Sequence, residues 1–230
     1  MAKQHLKRVA APQTWKIKRK NHIWISRPNA GAHSLPQSIS LNTAMKEIIK
    51  CAMTSSEVKT ILNTKTILVD GRRRKEPKFP VGLMDVLSLS DIKKSYRMLI
   101  SKKGTIYAAN VKSGEELLKP CKIVGKTSLS NGRMQLNLGD SRSIVLKKET
   151  TPYRVGDSVL MELPKQEIKE HLKFEKGAAI LLTGGKHVGE TATLEDSKGD
   201  TIVCKTDTGS FETAKRYAFV IGKGAPAIAL

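Results

Sequence analysis

The chain has 230 residues, with 41 Lys and Arg against 21 Asp and Glu, a formal net charge of +20 and a hydrophobic content of 39%. That length holds one large domain or two to three small ones, and the apolar content builds cores while leaving a polar excess for tails, loops and small modules. A charge of this size opposes compaction and asks for a polyanion, nucleic acid before an acidic membrane surface; the lack of an 18-residue apolar run excludes a membrane-spanning helix.

The charge is concentrated at the start. No Asp or Glu precedes Glu47, whereas Lys3, Lys7, Arg8, Lys16, Lys18, Arg19, Lys20, Arg27 and Lys46 all fall in that stretch, with both tryptophans, Trp15 and Trp24. Residues 1–40 carry no apolar leader core and no helical or strand period, and Pro12, Pro28, Gly31 and Pro36 punctuate them. A solvating tail has little use for tryptophan. The interleaving of rings and cations therefore predicts a binding arm that neutralises phosphates, stacks rings, and stays disordered until it meets its target.

Residues 41–52, LNTAMKEIIKCA, put Leu41, Met45, Ile48, Ile49 and Ala52 on one face of a predicted amphipathic helix, with Asn42 as its N-cap. A second helix is predicted in TSSEVKTILNTK, where Thr54 and Glu57 have capping-box spacing and Val58, Ile61 and Leu62 form the stripe. Next, Ile67, Leu68 and Val69 meet Asp70-Gly71, a strong hairpin signal. Arg72, Arg73, Arg74 and Lys75 follow without a break before the chain turns apolar again through Phe79, Val81, Leu83 and Val86. Four adjacent like charges repel, and folding alone does not ask for them. Lys46 and Lys50 project away from the first helix's stripe and can share a basic face with these arginines. Alternate strand side chains face opposite ways, so two or three of the four are expected to touch one polyanionic strand.

From Tyr96 onward the pattern is strand and turn. SYRMLIS and TIYAANV flank Lys102-Lys103-Gly104; CKIVGKTSL and RMQLNLG flank Asn131-Gly132; RSIVLKK and DSVLMELP follow, at the spacing of a small barrel or sandwich. PKQEIKEHLKFEKG reads as a helical or irregular connector. In the last segment the apolar runs 179–182, 202–204 and 217–221 alternate with glycine turns, which predicts a small five-stranded barrel of nearly neutral charge. The expected organisation is an α+β multi-module chain: a basic arm (1–40), a helix–hairpin domain (41–95), a central β-domain (96–173), a small barrel (174–221) and a tail (222–230).

Signals for chemistry are weak. IVGKTS would need Gly five residues before Gly125 to be a phosphate loop, and Pro120 stands there. GGKH lacks the Ser or Thr after its lysine, and GKGAP lacks dinucleotide-loop spacing. The five histidines have no metal-ligand spacing, and Cys51, Cys121 and Cys204, with no C-x-x-C pair, read as reduced thiols of a cytosolic protein. No catalytic residue, metal, cofactor or small-molecule substrate is assigned.

In this order the modules resemble the small-subunit ribosomal protein family of archaea and eukaryotes called S-four-e, over essentially the whole chain. The most specific part is KRVAAPQTWKIKRKNHIWISRPNAGAHSLPQSISL: basic residues, Pro, a Trp pair, then an RP.PG.H pattern in which Ala30 stands at a position expected to be Pro. Residues 41–89 resemble the S-four RNA-binding fold, with its hairpin around VDGRRR, and 96–163 resemble the family's central β-domain. Residues 176–207 resemble a KOW module, an SH3-like barrel; TGGKHVGETATL carries Gly185 and Gly189, and Ala192 replaces the usual third glycine. The lack of a long C-terminal extension points to the archaeal form. The resemblance implies a cytoplasmic structural component of the small ribosomal subunit, without enzymatic activity, that binds 16S-type rRNA and neighbouring ribosomal proteins. Phosphates would relieve the repulsion at Arg72–Lys75, and Lys186 and His187, on a glycine-bracketed loop, would approach RNA or a neighbouring protein. Two alternatives stay open: an accessory chain of an RNA-modifying enzyme, which needs a catalytic centre, and a transcription or translation factor with S-four and KOW modules, which leaves the arm unexplained.

Overall fold

The computed structural model describes residues 5–112, 114–146, 152–206 and 209–228, without the side chain of Asn131. The chain divides into two compact units, residues 1–100 with 104–117, and residues 101–103 with 118–230.

The first unit contains β1 (Ser38–Ser40), α1 (Leu41–Thr43), a π-helical segment (Ala44–Ile49), α2 (Ser55–Thr64), β2 (Ile67–Val69), β3 (Arg72–Arg73), β4 (Pro80–Gly82), β5 (Val86–Leu89), β6 (Lys94–Ile100) and β7 (Ile106–Asn110). β1 and β4 form a two-stranded sheet, and the others an antiparallel sheet in the order β3-β2-β5-β6-β7. The Asp70-Gly71 turn joins β2 to β3 with Val69 opposite Arg72, and its φ values of 53° and 73° at both central positions are those of a type I′ turn. The predicted capping box forms: Thr54 accepts from the Glu57 N–H at 3.2 Å, and Glu57 accepts from the Met53 N–H at 2.8 Å. The Met53 and Thr54 hydrogen bonds hold the Glu57 carboxyl below the usual carboxylate range.

Four expectations need correction. The N-cap of the first helix is Ser40, whose Oγ accepts from the Thr43 N–H, and Asn42 lies inside the turn. After one α turn the helix widens to π geometry and ends at Lys50, whose φ of 61° is left-handed. The wider turn leaves Ile48 and Ile49 half-buried, while Leu41 and Met45 are sealed in the core. Second, β6 pairs with β5 and β7 with β6, extending this sheet, so Tyr96–Asn110 belongs with the helix–hairpin part and not with the central β-domain. Third, the arm is no detached tail. Thr14 accepts from the Ile106 N–H at 2.7 Å, and Trp15 is 2% exposed, its Nε1 donating to the Ser38 carbonyl at 2.8 Å. Fourth, the described chain is mostly β with little helix, in place of the expected α+β balance.

The second unit holds ten strands: β8 (Leu118–Ser128), β9 (Met134–Leu138), β10 (Ser143–Leu146), β11 (Ser158–Glu162), β12 (Glu167–Leu172), β13 (Ala178–Leu182), β14 (Thr191–Lys198), β15 (Thr201–Thr206), β16 (Gly209–Ala214) and β17 (Ala218–Lys223). They form two antiparallel sheets, β10-β9-β8-β11-β12 and β16-β15-β14-β13-β17. β12 lies in the stretch expected to be a connector; Ile168 and Leu172 turn inward along it, a strand alternation that alternating charge signs had masked. AAILL is buried at every position of β13, whereas β14 alternates, with Ala192 and Leu194 inward. One apolar cluster lies under the first sheet around Ile123, Leu136, Val159 and Met161, and another under the second around Ile180, Leu182, Ile202 and Val220. Lys122 reaches from β8 to the carbonyls of Arg216 and Ala218, at 3.0 and 2.6 Å, and its burial, with Lys215 nearby, holds its ammonium below the usual lysine range.

Candidate nucleic-acid interface

The basic arm is built around its arginines. Arg8 is 3% exposed; its Nε donates to the Lys18 carbonyl at 3.0 Å and its Nη2 pairs with Glu47 at 2.6 Å. Arg19 donates to the carbonyls of Val9, Ala11 and Pro12 at 3.1, 2.7 and 3.0 Å. The planar fork satisfies several loop carbonyls at once, which a lysine ammonium does less well. Arg27 is half-buried. The lysines between them, Lys7, Lys16, Lys18 and Lys20, are exposed. Arginines thus organise the loop from within while lysines cover it. Lys3 lies outside the described residues.

The tryptophans part in the same way. Trp15 belongs to the core and presents no ring face to a ligand. Trp24 is 55% exposed, pairs through its backbone with Lys7, and tilts against His5 with ring centroids 5.5 Å apart. Trp15 and Arg8 therefore serve the fold, contrary to the expectation that both face RNA.

At the hairpin, Arg72, Arg73 and Lys75 are exposed and Arg74 is half-buried. Arg73 donates to the carbonyls of Asn63 and Lys65, at 3.2 and 3.3 Å, and so caps the end of α2. The Arg74 guanidinium lies 4.4 Å from the centroid of Phe79. Strand alternation sends neighbouring side chains to opposite faces, which separates the cluster's charges. Lys46 is half-buried and Lys50 exposed. The exposed Lys59, Lys93 and Lys94 of the same unit were not predicted as site residues, since bulk charge was their only signal.

In the second unit Lys186 is exposed, but His187 is engaged within it. Its ring stacks on Phe211, centroids 3.9 Å apart and 16° from parallel, and its Nδ1 lies 3.1 Å from Glu190. Among the described residues no cluster of His, Cys, Asp and Glu has metal-binding geometry, and no helix is long and apolar enough to cross a membrane.

Known proteins resemble the chain along its length. Residues 2–36 match the RS4NT domain, and residues 92–168 match the Ribosomal family S4e. The small ribosomal subunit protein eS4 of Methanosphaera stadtmanae is 40% identical, the match covering 100% of this chain and 96% of the relative. That of Methanocaldococcus jannaschii is 42% identical, covering 99% and 98%. The crystal structure of 30S ribosomal protein S4e from Thermoplasma acidophilum superposes with a TM-score of 0.70 at 28% identity, covering 81% of this chain and 96% of that one. Identity of this degree over both full lengths makes the chain a member of the S4e (eS4) family of ribosomal proteins.

Proposed function

We propose that this chain is a structural component of the small ribosomal subunit, working in the cytoplasm by binding and stabilising 16S-type rRNA beside neighbouring ribosomal proteins. The family is one of ribosomal proteins and not of enzymes. One observation carries the rRNA reading: a basic loop whose inward-turned arginines, Arg8 and Arg19, fix its shape while the lysines between them face outward. A surface prepared in this way meets a folded polyanion without first paying for its own ordering. The RNA-facing residues we assign are Lys7, Lys16, Lys18, Lys20 and Trp24 of the arm, Lys46 and Lys50 beside it, and Arg72, Arg73 and Lys75 at the hairpin. Arg8, Trp15, Arg19 and Arg74 hold these in place. Within the same reading, residues 41–95 with their added strands act as the S-four-like RNA-binding part, and 174–221 as an SH3-like KOW module that offers Lys186 to RNA or a neighbour.

The test is a salt titration of full-length protein binding to a small-subunit rRNA transcript. Six to ten neutralised phosphates predict a loss of roughly a thousandfold or more in affinity between about 50 and 200 mM salt. Affinity that is weak at low salt and insensitive to it would contradict the assignment.

A further inference from the structure

An apolar recess opens in the first unit, between the two helical segments and the sheet. Its volume is about 130 Å³, close to the ~150 Å³ of an apolar cavity that takes up benzene, so one aliphatic or phenyl side chain fits. Met45, Ile67 and Leu89, all buried, form the floor; Cys51 and Ile61, half-buried, form the walls; Ile92, 58% exposed, forms the lip. Lys65 and Asp91 stand at the mouth, exposed and paired with each other at 2.9 Å, the only charged groups of the lining among the described residues. The Cys51 N–H and Sγ both donate to the Met45 carbonyl, at 3.0 and 3.5 Å, which holds the thiol in the wall. The backbone beside the recess is unusual on both sides. The π-helical segment ends on Lys50 at φ 61°, next to Cys51, and the turn Ser90–Ile92 ends on Lys93 at φ 51°. Left-handed non-glycine residues and π turns are uncommon, and both concentrate at functional sites.

Floor and walls present side-chain carbon and sulfur. A nucleobase is polar along its edge and needs donors and acceptors there, so the recess does not suit RNA. An apolar side chain entering it loses only water, which is favourable. The rim adds a sign. Lys93 and Lys94 directly follow Ile92 and are exposed, and Lys65 is a third cation against the one carboxylate of Asp91. Such a rim attracts carboxylates. A second copy of this chain is opposed by its own charge of +20. An apolar anchor in a pocket with complementary charge at its edge is a general mode of protein recognition. We propose that the recess docks a neighbouring protein of the small subunit, which inserts one apolar side chain from a segment whose Asp or Glu residues pair with Lys65, Lys93 or Lys94. The assignment rests on the small-subunit reading above and adds to it a place and a chemistry for one protein neighbour. It also gives Lys93 and Lys94 a use that the rRNA-facing set leaves open.

Cys51 is the reporter, since Cys121 and Cys204 are buried. Its alkylation by a small maleimide is followed by mass spectrometry in the free full-length chain, in its complex with a small-subunit rRNA transcript, and in small subunits from the protein's own cells. The thiol should react alike in the first two and at least about tenfold more slowly in the subunit, as when fewer than about one recess in ten stands open. In the same subunits a carbodiimide, which condenses an amine with a carboxylate touching it, should join Lys93 or Lys94 to a second protein. The joined peptide should carry a Leu, Ile, Val, Met or Phe beside its Asp or Glu. Ile92→Asp, at an exposed position, should keep the fold and the transcript affinity and restore Cys51 alkylation in subunits assembled with it. Protection already complete in the transcript complex would mean that RNA covers the recess, and would overturn the protein site while leaving rRNA binding standing. Unslowed alkylation in the subunit would show the recess empty and overturn it too. Protection without a crosslink of that composition, or unmoved by Ile92→Asp, would overturn the acidic apolar segment. A chain absent from the subunits would overturn the small-subunit reading itself.

Discussion

Replacing Trp15 and replacing Trp24 should give opposite results. Trp15→Ala empties a core position and orphans the Ser38 carbonyl, so it should cost about 3–5 kcal/mol of stability. Trp24→Ala should change stability by no more than about 0.5 kcal/mol, as usual for an exposed site. Denaturant unfolding of the two variants checks this, and equal losses would contradict it. Sequence could not tell the two rings apart, because both sit among lysines in a stretch without period. What separates them is a distant event, the pairing of Thr14 with Ile106. The inward turn of Arg8 and Arg19 was hidden for the same reason: their carbonyl partners are set by the fold. Glu57 was legible, since its partners are three and four residues away. Its pKa is lower folded than unfolded, so its support of α2 is complete above the ordinary value near 4.5 and is lost as pH falls through the folded one. Glu57→Gln should therefore remove an acid-induced loss of helix seen by circular dichroism; an unchanged acid titration would count against the cap.

Elements with a strong local signal were readable, and those whose local signal was ambiguous were not. The Asp70-Gly71 turn, the capping box and the all-apolar β13 carry their signals locally. The joining of β6 and β7 to the hairpin sheet is also local, through hairpins across residues 90–93 and 101–105, and it was missed because the polar stretch Ser90–Lys94 reads as a break between modules. The π-helical widening after Thr43 also escaped, because the apolar spacing of 41–52 fits an α-helix equally well. At the hairpin the four cations are unequal. Arg72→Ser should leave stability within about 0.5 kcal/mol. Arg74→Ser gives up its place on Phe79 and should cost roughly 0.5–1 kcal/mol. For rRNA binding the order should reverse, with Arg72→Ser weakening it by roughly 1.5–3 kcal/mol, the worth of a charge-assisted hydrogen bond to phosphate. Thermal unfolding and rRNA binding on both variants separate the two roles. If Arg74→Ser bound as weakly as Arg72→Ser while unfolding normally, the division between scaffold and RNA-facing residue would be wrong.

At the scale of the whole molecule the charge of +20 announced a polyanionic partner, and the module order carried the family. The number of compact units was less legible, since the two sheets of residues 118–223 share one unit. Removing the arm is a poor probe of binding, because Trp15 and Arg8 would leave the core with it. Replacing Lys7, Lys16, Lys18 and Lys20 by Gln keeps the fold and should flatten the slope of log affinity against log salt, by up to about 0.9 for each phosphate no longer neutralised. An unchanged slope would make those lysines mere solvated charge. The central claim is membership of the small subunit, and its most direct measurement is sedimentation of ribosomes from the protein's own cells through a sucrose gradient at high salt, followed by quantitation of this chain. The account predicts one copy per small subunit, retained through the salt wash and absent from the free pool; a chain found at the top of the gradient, or with polymerase fractions, would contradict it.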